Sequence, residues 1–348
     1  PATGEILLKV SSPGYDPQLM VGLERGKNYK KLSEDPHEPL FDRTVGAAYP
    51  PGSTFKTLQA LYGLKEKVIT PETCFECYGP SKTQIGGIRM GCHHHVSPLN
   101  LRQSIQHSCN PYYVNVWRRI LENRKYKDVR DSYEHWREFI CSFGLGHEIC
   151  PDFSNERSGS VPPLKMYDRI FKTKDWKWSY IMSLSIGQGE LLLTPLQIAN
   201  MACVIANRGY YMTPHIVRPL PDGSNPVEKH IVKCDTSIFT PVVEGMQMAA
   251  SIGTARGAAI DSVEICGKTG TAQNPHGDDH SIVMLFAPKD NPKIAIAVYI
   301  ENGGFGARYA VPIAGLILEK YLKGEVSPKR KDLEKRMIDA NLLGAINK

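Results

Sequence analysis

Apolar residues recur at helical spacing along much of the middle of the chain. After a turn at residues 49–52 (Tyr-Pro-Pro-Gly), the pattern over 53–66 predicts a helix with Ser53 at its N-terminus. Residues 194–207 give the clearest helix, because Thr194 is a suitable N-cap and a proline follows it at the first helical position. Further helices are predicted at residues 98–107, 111–123, 127–142, 237–251 and 311–322.

Strand-like runs lie towards both ends of the chain. The N-terminal run covers residues 5–12, and a short alternating run at 262–266 precedes the C-terminal ones. Residues 281–287 and 293–300 are apolar, and the turn between them contains two prolines. We therefore predict an α+β fold in which an antiparallel sheet, built from the N- and C-terminal segments, packs against a helix-rich subdomain.

The composition is that of an ordinary globular chain, with 41% hydrophobic and 22% charged residues in a length of 348. No run of about 18 apolar residues occurs, so the sequence predicts no membrane-spanning helix, and no signal peptide opens it. Its first residues suggest a domain already in progress, as in a piece of a longer protein. The net charge of 42 − 36 = +6 is scattered, which argues against a nucleic-acid-binding face.

A basic cluster at residues 329–336 is the exception to this even distribution of charge. Such a cluster is typical of a solvated helix end, and attraction to an anionic membrane surface is the alternative. We assign residues 329–348 to a basic C-terminal tail that follows a main domain of residues 1–328.

Three short motifs occur in order and carry the candidate chemistry. They are Ser53-Thr54-Phe55-Lys56, Ser108-Cys109-Asn110 and Lys268-Thr269-Gly270. The Ser-x-x-Lys pattern occurs once in the chain, and the Lys-Thr-Gly triplet follows a strand-like run. This ordered set resembles the signature of class A β-lactamases and penicillin-binding proteins, with Cys109 as an unusual middle residue of the second motif.

The residue types explain why the motifs would act together. Ser53 and Lys56 are three positions apart and share one helix face, so Lys56 can reach the serine hydroxyl. A lysine can remove that proton only if burial or a neighbouring cation lowers its pKa, and Lys268 is a candidate neighbour. The helix N-terminus adds partial positive charge near Ser53, which favours the alkoxide.

Each motif also has a purely structural interpretation. Ser53 could be an ordinary N-cap, and Ser108 with Asn110 could cap the helix that begins near Pro111. The triplet at 268–270 could be a solvated strand end. The order and uniqueness of the motifs favour the catalytic interpretation.

The segments around the motifs resemble those of class B penicillin-binding proteins. The resemblance is carried by Tyr-Pro-Pro-Gly-Ser-Thr-Phe-Lys at 49–56, Gly-Lys-Thr-Gly-Thr-Ala-Gln at 267–273 and Gly-Gln-Gly at 187–189. Residues 156–159 (Glu-Arg-Ser-Gly) and 301–304 (Glu-Asn-Gly-Gly) are most similar to the elongation-specific penicillin-binding protein 2 group. The resemblance covers nearly the whole chain, but the N-terminal pedestal and membrane anchor of that family are absent from it.

This resemblance implies the fold shared by penicillin-binding proteins and serine β-lactamases, and D,D-transpeptidation through a serine acyl-enzyme. Ser53 would attack the D-Ala-D-Ala carbonyl of a peptidoglycan stem peptide, with Lys56 as the general base and Ser108 as a proton relay. An amine of a second stem peptide would then resolve the acyl-enzyme. β-Lactams would acylate the same serine.

The resemblance also implies which residues bind the substrate. Asn110 would hold a substrate amide, and Lys268 with Thr269 would bind the terminal carboxylate. The N–H groups of Ser53 and Thr271 would hold the oxyanion. The strand from Gly270 to Ala272 would pair with the substrate backbone.

A cellular setting follows from the same resemblance. It implies an enzyme at the extracytoplasmic face of the cytoplasmic membrane, in the periplasm, anchored by an N-terminal helix that is not in this chain. It implies a polytopic membrane glycosyltransferase of the elongation machinery as partner. Neither a catalytic cofactor nor a nucleic-acid partner is expected.

Cysteine and histidine residues are concentrated in an inserted segment at residues 70–110. Thiolates and imidazoles are typical zinc ligands, and the segment resembles a metal site reported for some members of the penicillin-binding protein 2 group. We predict a structural zinc with four protein ligands, Cys77, Cys92, His95 and Cys109.

Other interpretations of this segment stay open. His93 is an alternative to His95, and Cys74 is an alternative to Cys77. A disulfide, for example between Cys92 and one of the two preceding cysteines, or free thiols would also account for the pattern. The histidines between the cysteines favour a metal.

Two other functions stay open as well. A serine β-lactamase or a β-lactam sensor domain would share the fold and the nucleophile, but no segment presents an obvious glutamate to activate water for deacylation. A non-catalytic scaffold stabilised by zinc would belong to a different class, and the presence of all the motif residues argues against it.

Overall fold

The computed structural model describes residues 1–219, 223 and 226–343. Two 3-10 segments, Gly52–Phe55 and Trp178–Ile186, border the candidate site. The helices are α1 (Arg25–Ser33), α2 (Arg43–Gly46), α3 (Lys56–Lys65), α4 (Leu101–Gln106), α5 (Asn110–Leu121), α6 (Val129–Cys141), α7 (Leu164–Phe171), α8 (Pro195–Ala206), α9 (Phe239–Ser251), α10 (Ala310–Lys323) and α11 (Lys331–Ile338). The strands are β1 (Thr83–Ile85), β2 (Ile88–Met90), β3 (Tyr210–Met212), β4 (Lys229–Ile231), β5 (Cys266–Ala272), β6 (His280–Ala287) and β7 (Ile294–Ile300).

Within the described residues, β5, β6 and β7 form the main sheet, which is antiparallel and has β6 at its centre. The register places Thr271 of β5 opposite Ser281 of β6, and Met284 of β6 opposite Ala297 of β7. β5 pairs with β6 along one edge, and its other edge has no strand partner among the described residues. This free edge of β5 faces the rest of the domain.

β6 is buried on both faces, since its alternate side chains meet different layers. Ile282, Met284 and Phe286 belong to the large core shared with the helix-rich layer. Val283 and Leu285 belong to a second core formed with α10. Burial on both faces explains why this strand has a continuous apolar run rather than an alternating one.

Two tryptophans organise the helix-rich layer. Trp117 of α5 and Trp136 of α6 are fully buried, with their rings 5.0 Å apart at 77°. The Trp136 indole N–H donates to the Gln59 side chain of α3 at 3.0 Å, and that of Trp117 donates to the Trp178 carbonyl at 3.3 Å. These bonds satisfy the buried indole donors and join α3 and the segment Trp178–Ile186 to the core.

Most of the predicted elements are found close to their expected bounds. The helices predicted from apolar spacing start and end within a few residues of α3, α4, α5, α6, α8, α9 and α10, and the β6–β7 hairpin is present. The fold class is confirmed. The structure also contains α1 and α2, two helices that the sequence pattern does not predict. α1 buries none of its side chains, so it carries no apolar face that the sequence could reveal.

The predicted N-terminal strand does not join the main sheet, and this part of the prediction is wrong. Residues 5–12 contribute a single parallel bridge between Glu5 and His215. The Ile6 N–H donates to the His215 carbonyl at 2.9 Å, and the His215 N–H donates to the Gly4 carbonyl at 3.1 Å. These bonds pair the segment with the residues that follow β3 and not with the main sheet. Its apolar side chains Leu7 and Leu8 are exposed.

The division into residues 1–328 and a basic tail, residues 329–348, stays a prediction. Arg330 attaches the start of that tail to α10 through Glu319 at 3.2 Å. Residues 344–348 lie outside the described residues. No helix in the described part of the chain has both the length and the apolar character needed to cross a bilayer.

The contact between α4 and α9 generates a stability prediction. A Cβ added at Gly245 of α9 would lie 2.9 Å from side-chain carbons of Ile105 and 3.1 Å from the Arg102 carbonyl. We expect Gly245→Val to lower the free energy of unfolding by about 1–3 kcal/mol through overpacking, as measured by denaturant titration.

The matched control is Gly26→Val in α1, where an added Cβ meets nothing within 4 Å. Its stability should stay within about 0.5 kcal/mol of the parent protein. Equal effects of the two substitutions would contradict the packing explanation.

Candidate active site

Ser53 lies in the 3-10 turn Gly52–Phe55, which leads directly into α3. The turn begins at Gly52, whose φ of +54° lies in the left-handed region. An added Cβ there would be 2.7 Å from the Thr271 carbonyl oxygen of β5, so glycine is required both by conformation and by space. The nucleophile motif is thereby pressed against the edge strand.

Lys56 is fully buried at the start of α3. Its Nζ donates to the Asn110 side-chain oxygen at 2.6 Å, to the Ser108 carbonyl at 2.7 Å and to the Ser108 hydroxyl at 3.3 Å. An ammonium group has three donors, and these contacts use all of them. The first two motifs predicted from the sequence therefore meet at Lys56.

Lys268 of β5 approaches the same hydroxyl from the other side. Its Nζ is buried and donates to Ser108 Oγ at 2.8 Å and to the Thr269 carbonyl at 2.9 Å. Ser108 has a φ of +55°, which turns its hydroxyl and its carbonyl towards the lysines from the loop before α5. One hydroxyl thus bridges two lysine side chains that belong to different motifs.

Burial changes the acid–base properties of both lysines. It lowers the pKa of Lys56 to about 8. Burial, together with the nearby charge of Lys56, holds the pKa of Lys268 well below its usual range. A lysine with a pKa near 8 is partly an uncharged amine at neutral pH, so Lys56 can take a proton from a neighbouring hydroxyl and return it.

The free edge of β5 faces the turn that carries Ser53. The Thr271 carbonyl accepts a hydrogen bond from Gln188 Nε2 at 3.1 Å, so it points away from β6. In an antiparallel pair, the N–H and C=O of one residue point to the same side, and the Thr271 N–H therefore also lies on the free edge. It is close to the nucleophile turn, since a Cβ at Gly52 would be 3.2 Å from it.

Gly270 allows this close approach of strand and turn. A Cβ there would lie 3.0 Å from the Pro51 carbonyl and 3.2 Å from the Thr54 methyl group. On the other side of β5, the Thr269 hydroxyl donates to the Thr254 hydroxyl at 2.8 Å. The residues to which the sequence assigns a catalytic or substrate-binding role therefore lie together where α3, the loop before α5 and β5 meet. They are Ser53, Lys56, Ser108, Asn110, Lys268, Thr269, Gly270 and Thr271.

Sequence reasoning assigned no role to Thr254 or Gln188, although both contact the site. The Gly-Gly pair that flanks Gln188 is a visible signal of special backbone. Its partner Thr271 is 83 positions away along the chain, so spacing alone could not connect them. Thr254 follows a glycine after α9 and carries no comparable signal.

A cysteine and histidine cluster lies immediately beside this network. The ligand atoms of Cys77, Cys92, His95 and Cys109 all lie within 4.8 Å of one another. Hydrogen bonding from the Cys109 thiol lowers the pKa of Cys92, so one sulfur of the group is readily a thiolate. In the described part of the chain the cysteines are free thiols rather than disulfides.

The alternative ligands lie at or beyond the border of this cluster. His93 Nδ1 is 3.7 Å from the Cys92 sulfur, and the His93 side chain is exposed. Cys74 is exposed, and its thiol donates to the Glu72 carbonyl at 3.3 Å. The cluster contacts the active site through the chain itself, because Cys109 stands between Ser108 and Asn110.

The chain is similar to known proteins over nearly its whole length. The family model of the penicillin-binding protein transpeptidase domain matches residues 1–319. The peptidoglycan D,D-transpeptidase MrdA of Acinetobacter baumannii is 30% identical over 98% of this chain. The match spans 53% of that relative, so the chain covers about half the length of such curated relatives.

Solved structures give the same picture. Penicillin-binding protein 2 of Pseudomonas aeruginosa superimposes with a TM-score of 0.79 at 29% identity, over 94% of this chain and 74% of that one. A ceftriaxone acyl-enzyme of penicillin-binding protein A from Mycobacterium tuberculosis gives 0.76 at 27% identity, over 92% and 72%. A chain of a peptidoglycan synthase complex that coordinates polymerization and crosslinking gives 0.79 at 29% identity, over 93% and 55%.

The lowered pKa of Lys56 generates a prediction about pH. If Lys56 is the base that deprotonates Ser53, as the sequence predicts, the rate of acylation by a penicillin should rise with pH, with its midpoint near the pKa of about 8, because only the uncharged amine accepts a proton. The measurement is the acylation rate constant at saturating penicillin over a pH series. Lys56→Met should remove the rise, and a rate independent of pH in the parent protein would contradict the role of Lys56 as base.

Proposed function

The chain belongs to the penicillin-binding protein transpeptidase family, and on this premise we propose that it is a peptidoglycan D,D-transpeptidase of the elongation-specific type. The observation that carries the proposal is the set of contacts made by Lys56, which is buried one helical turn after Ser53 and bonded to Ser108 and Asn110. The relative named a peptidoglycan D,D-transpeptidase supports the substrate class.

The first half-reaction is the acylation of Ser53 by a stem peptide. The serine oxygen attacks the carbonyl carbon of the D-Ala-D-Ala bond while its proton passes to the uncharged amine of Lys56. The C–O bond forms, the C–N bond breaks, and the proton returns through the Ser108 hydroxyl to the nitrogen of the leaving D-Ala. Ser108 suits this task because its oxygen lies 3.3 Å and 2.8 Å from the two lysine nitrogens.

The second half-reaction reverses the proton path. The amine of a second stem peptide attacks the ester carbonyl, its proton is taken by the same lysine and serine network, and the bond to Ser53 breaks. Ser53 regains its proton, and the new peptide bond links the two stems. Both half-reactions pass through an oxyanion, which the N–H groups of Ser53 and Thr271 would stabilise.

The free edge of β5 supplies the substrate contacts. The stem peptide would add to Gly270–Ala272 as a further strand, which satisfies the unpaired backbone groups of that edge. Its terminal carboxylate would meet the Thr269 hydroxyl and the positive charge of the buried Lys268. The Asn110 oxygen is already bonded to Lys56, so its amide N–H groups are left for a substrate carbonyl.

We propose further that the Cys/His cluster holds a structural zinc. Three sulfurs and one imidazole nitrogen are a donor set that zinc prefers. The ligand atoms of Cys77, Cys92, His95 and Cys109 lie close together, and four protein ligands are the number that a structural zinc site uses. A bound ion would cross-link the β1–β2 segment to the start of α5. Ser108 and Asn110, on either side of Cys109, would then be held at the distances described above.

The cellular setting is also a proposal. The family and the neighbour from a peptidoglycan synthase complex support a membrane glycosyltransferase as the partner of the whole protein. Such a pair would act at the extracytoplasmic face of the cytoplasmic membrane. Anchoring would be provided by a membrane helix of the whole protein.

The experiment that tests the function is intact-mass analysis after incubation with a penicillin. We expect a stable adduct of one penicillin per chain in the parent protein, and none in Ser53→Ala, because a transpeptidase lacks a fast water-activating step. The Ser53→Ala protein should unfold at a similar temperature, which shows that the fold is intact.

Two outcomes would contradict the proposal in different ways. Penicillin consumed without a lasting adduct would indicate a β-lactamase. Penicillin left intact by a folded, metal-loaded protein would favour the non-catalytic scaffold.

The zinc proposal predicts a metal content that depends on particular cysteines. Elemental analysis of the purified protein should find about one zinc per chain, and Cys109→Ser should lose it and unfold at a lower temperature. Cys74→Ser is the matched control, because Cys74 is exposed and lies outside the cluster. Retention of zinc by Cys109→Ser, or its absence from the parent protein, would rule out the site as drawn.

A further inference from the structure

The segment Gly187–Gln188 touches both halves of the proposed oxyanion hole. The Gly187 carbonyl accepts a hydrogen bond from the Gly52 N–H at 2.9 Å, next to Ser53. The Gln188 side chain donates to the Thr271 carbonyl at 3.1 Å. Two consecutive residues therefore hold the backbone on either side of the place where an oxyanion would form.

The segment is itself firmly held. Gly187 ends the 3-10 segment Trp178–Ile186 in a left-handed conformation, and the Gln188 N–H donates to the Ser183 carbonyl at 3.0 Å. The Gln59 side chain of α3 donates to the Leu184 carbonyl at 3.2 Å and is bonded in turn to Trp136. The backbone of Gln188 is thus anchored to the helix-rich core, and only its side chain reaches the sheet.

Gly187 packs so closely against the nucleophile turn that the two segments cannot move independently. An added Cβ would lie 2.1 Å from the Gly52 carbonyl oxygen and 2.9 Å from Phe55 Cβ. A shift of the Gly187–Gln188 segment would therefore move the peptide before Ser53. A substitution of Gln188 alone, by contrast, removes only the hydrogen bond to Thr271 of β5.

Thr271 is the part of the hole that most needs such support. It lies next to the end of β5, on the free edge, where β6 gives its N–H and C=O no partner. The Thr271 N–H belongs to the peptide group before its Cα and the Thr271 carbonyl to the one after it, so rotation about the Thr271 backbone changes the direction of the N–H. The bond from Gln188 fixes the carbonyl side of Thr271 and thereby limits that rotation.

We propose that Gln188 is a positioning residue for acylation: by holding the Thr271 carbonyl it aims the Thr271 N–H at the oxyanion. The inference rests on the proposed function, because the oxyanion arises in the reaction of Ser53. The carbonyl has two lone pairs, so Gln188 can occupy one and leave the other to the amide N–H of an added substrate strand. One side chain thereby supports both tasks of Thr271.

The test compares Gln188→Met with the parent protein. Methionine keeps the length and volume of glutamine but cannot donate a hydrogen bond. Direct removal of an oxyanion donor costs about 10²–10³ in rate, and we expect a smaller loss here, about 10- to 100-fold in the acylation rate constant with a penicillin. The dissociation constant of the non-covalent complex, measured in the Ser53→Ala background, should change less than about threefold.

A spectroscopic readout separates positioning from mere stability. Donation to the ester carbonyl of the acyl-enzyme lowers its infrared stretching frequency, so Gln188→Met should shift that band to a higher frequency. Gln197→Met is the matched control, because Gln197 also donates to backbone carbonyls, at His147 and Ser158, but away from Ser53. It should lower the unfolding temperature without moving the band.

The outcomes distinguish this inference from the proposed function. If the parent protein forms no adduct at Ser53, the proposed function fails and the inference fails with it. If the parent protein is acylated, and Gln188→Met is acylated at the same rate with an unshifted band, only the role of Gln188 is wrong. Should Gln188→Met fold poorly, Gln188→Glu keeps the shape but places a carboxylate against the carbonyl, and it should show the same slow acylation and band shift.

Discussion

Two lysine side chains are buried beside one serine hydroxyl, and the arrangement of the site depends on satisfying them. A buried ammonium group is costly unless polar atoms surround it. Ser108 and Asn110 supply those atoms to Lys56, and Ser108 with the Thr269 carbonyl supplies them to Lys268. For these atoms to converge, α5 must begin at Asn110 and Ser108 must take a left-handed backbone conformation. The same burial makes an uncharged amine accessible near neutral pH.

The elements that carry these residues are each stabilised by a different part of the molecule. α3 and the segment Trp178–Ile186 are joined to the helix-rich core through Gln59 and Trp136. β5 belongs to the sheet, and the loop before α5 ends at Cys109, a member of the cysteine and histidine cluster. The reactive centre is therefore a junction of three separately supported units, and polar contacts of single side chains, including that of Gln188, decide how they meet.

Local patterns predicted the parts of this structure that local forces determine. Thr194 and Pro195 mark the start of α8 because capping and a fixed φ act within one turn, and the capping box is present. The three motifs, too, are short enough to read from the sequence. The prediction for residues 5–12 was wrong because apolar residues do not indicate which segment a strand pairs with. That pairing is set by backbone hydrogen bonds to His215. The contact from Gln188 to Thr271 is equally non-local, and so the sequence suggested the glycines around Gln188 but not its partner.

Under the proposed function, the glycines at 52, 187 and 270 have a consequence for how this protein could evolve under exposure to an inhibitor that acylates Ser53. At each of them main chain meets main chain, and an added Cβ would stand 3.0 Å or less from a carbonyl oxygen. At these three contacts the proposed site is therefore bounded by peptide groups, which a change of side chain cannot replace. Under the proposed function, substitutions at these glycines would impair the reaction with the stem peptide together with that of the inhibitor, so variants that discriminate between the two are expected at other positions.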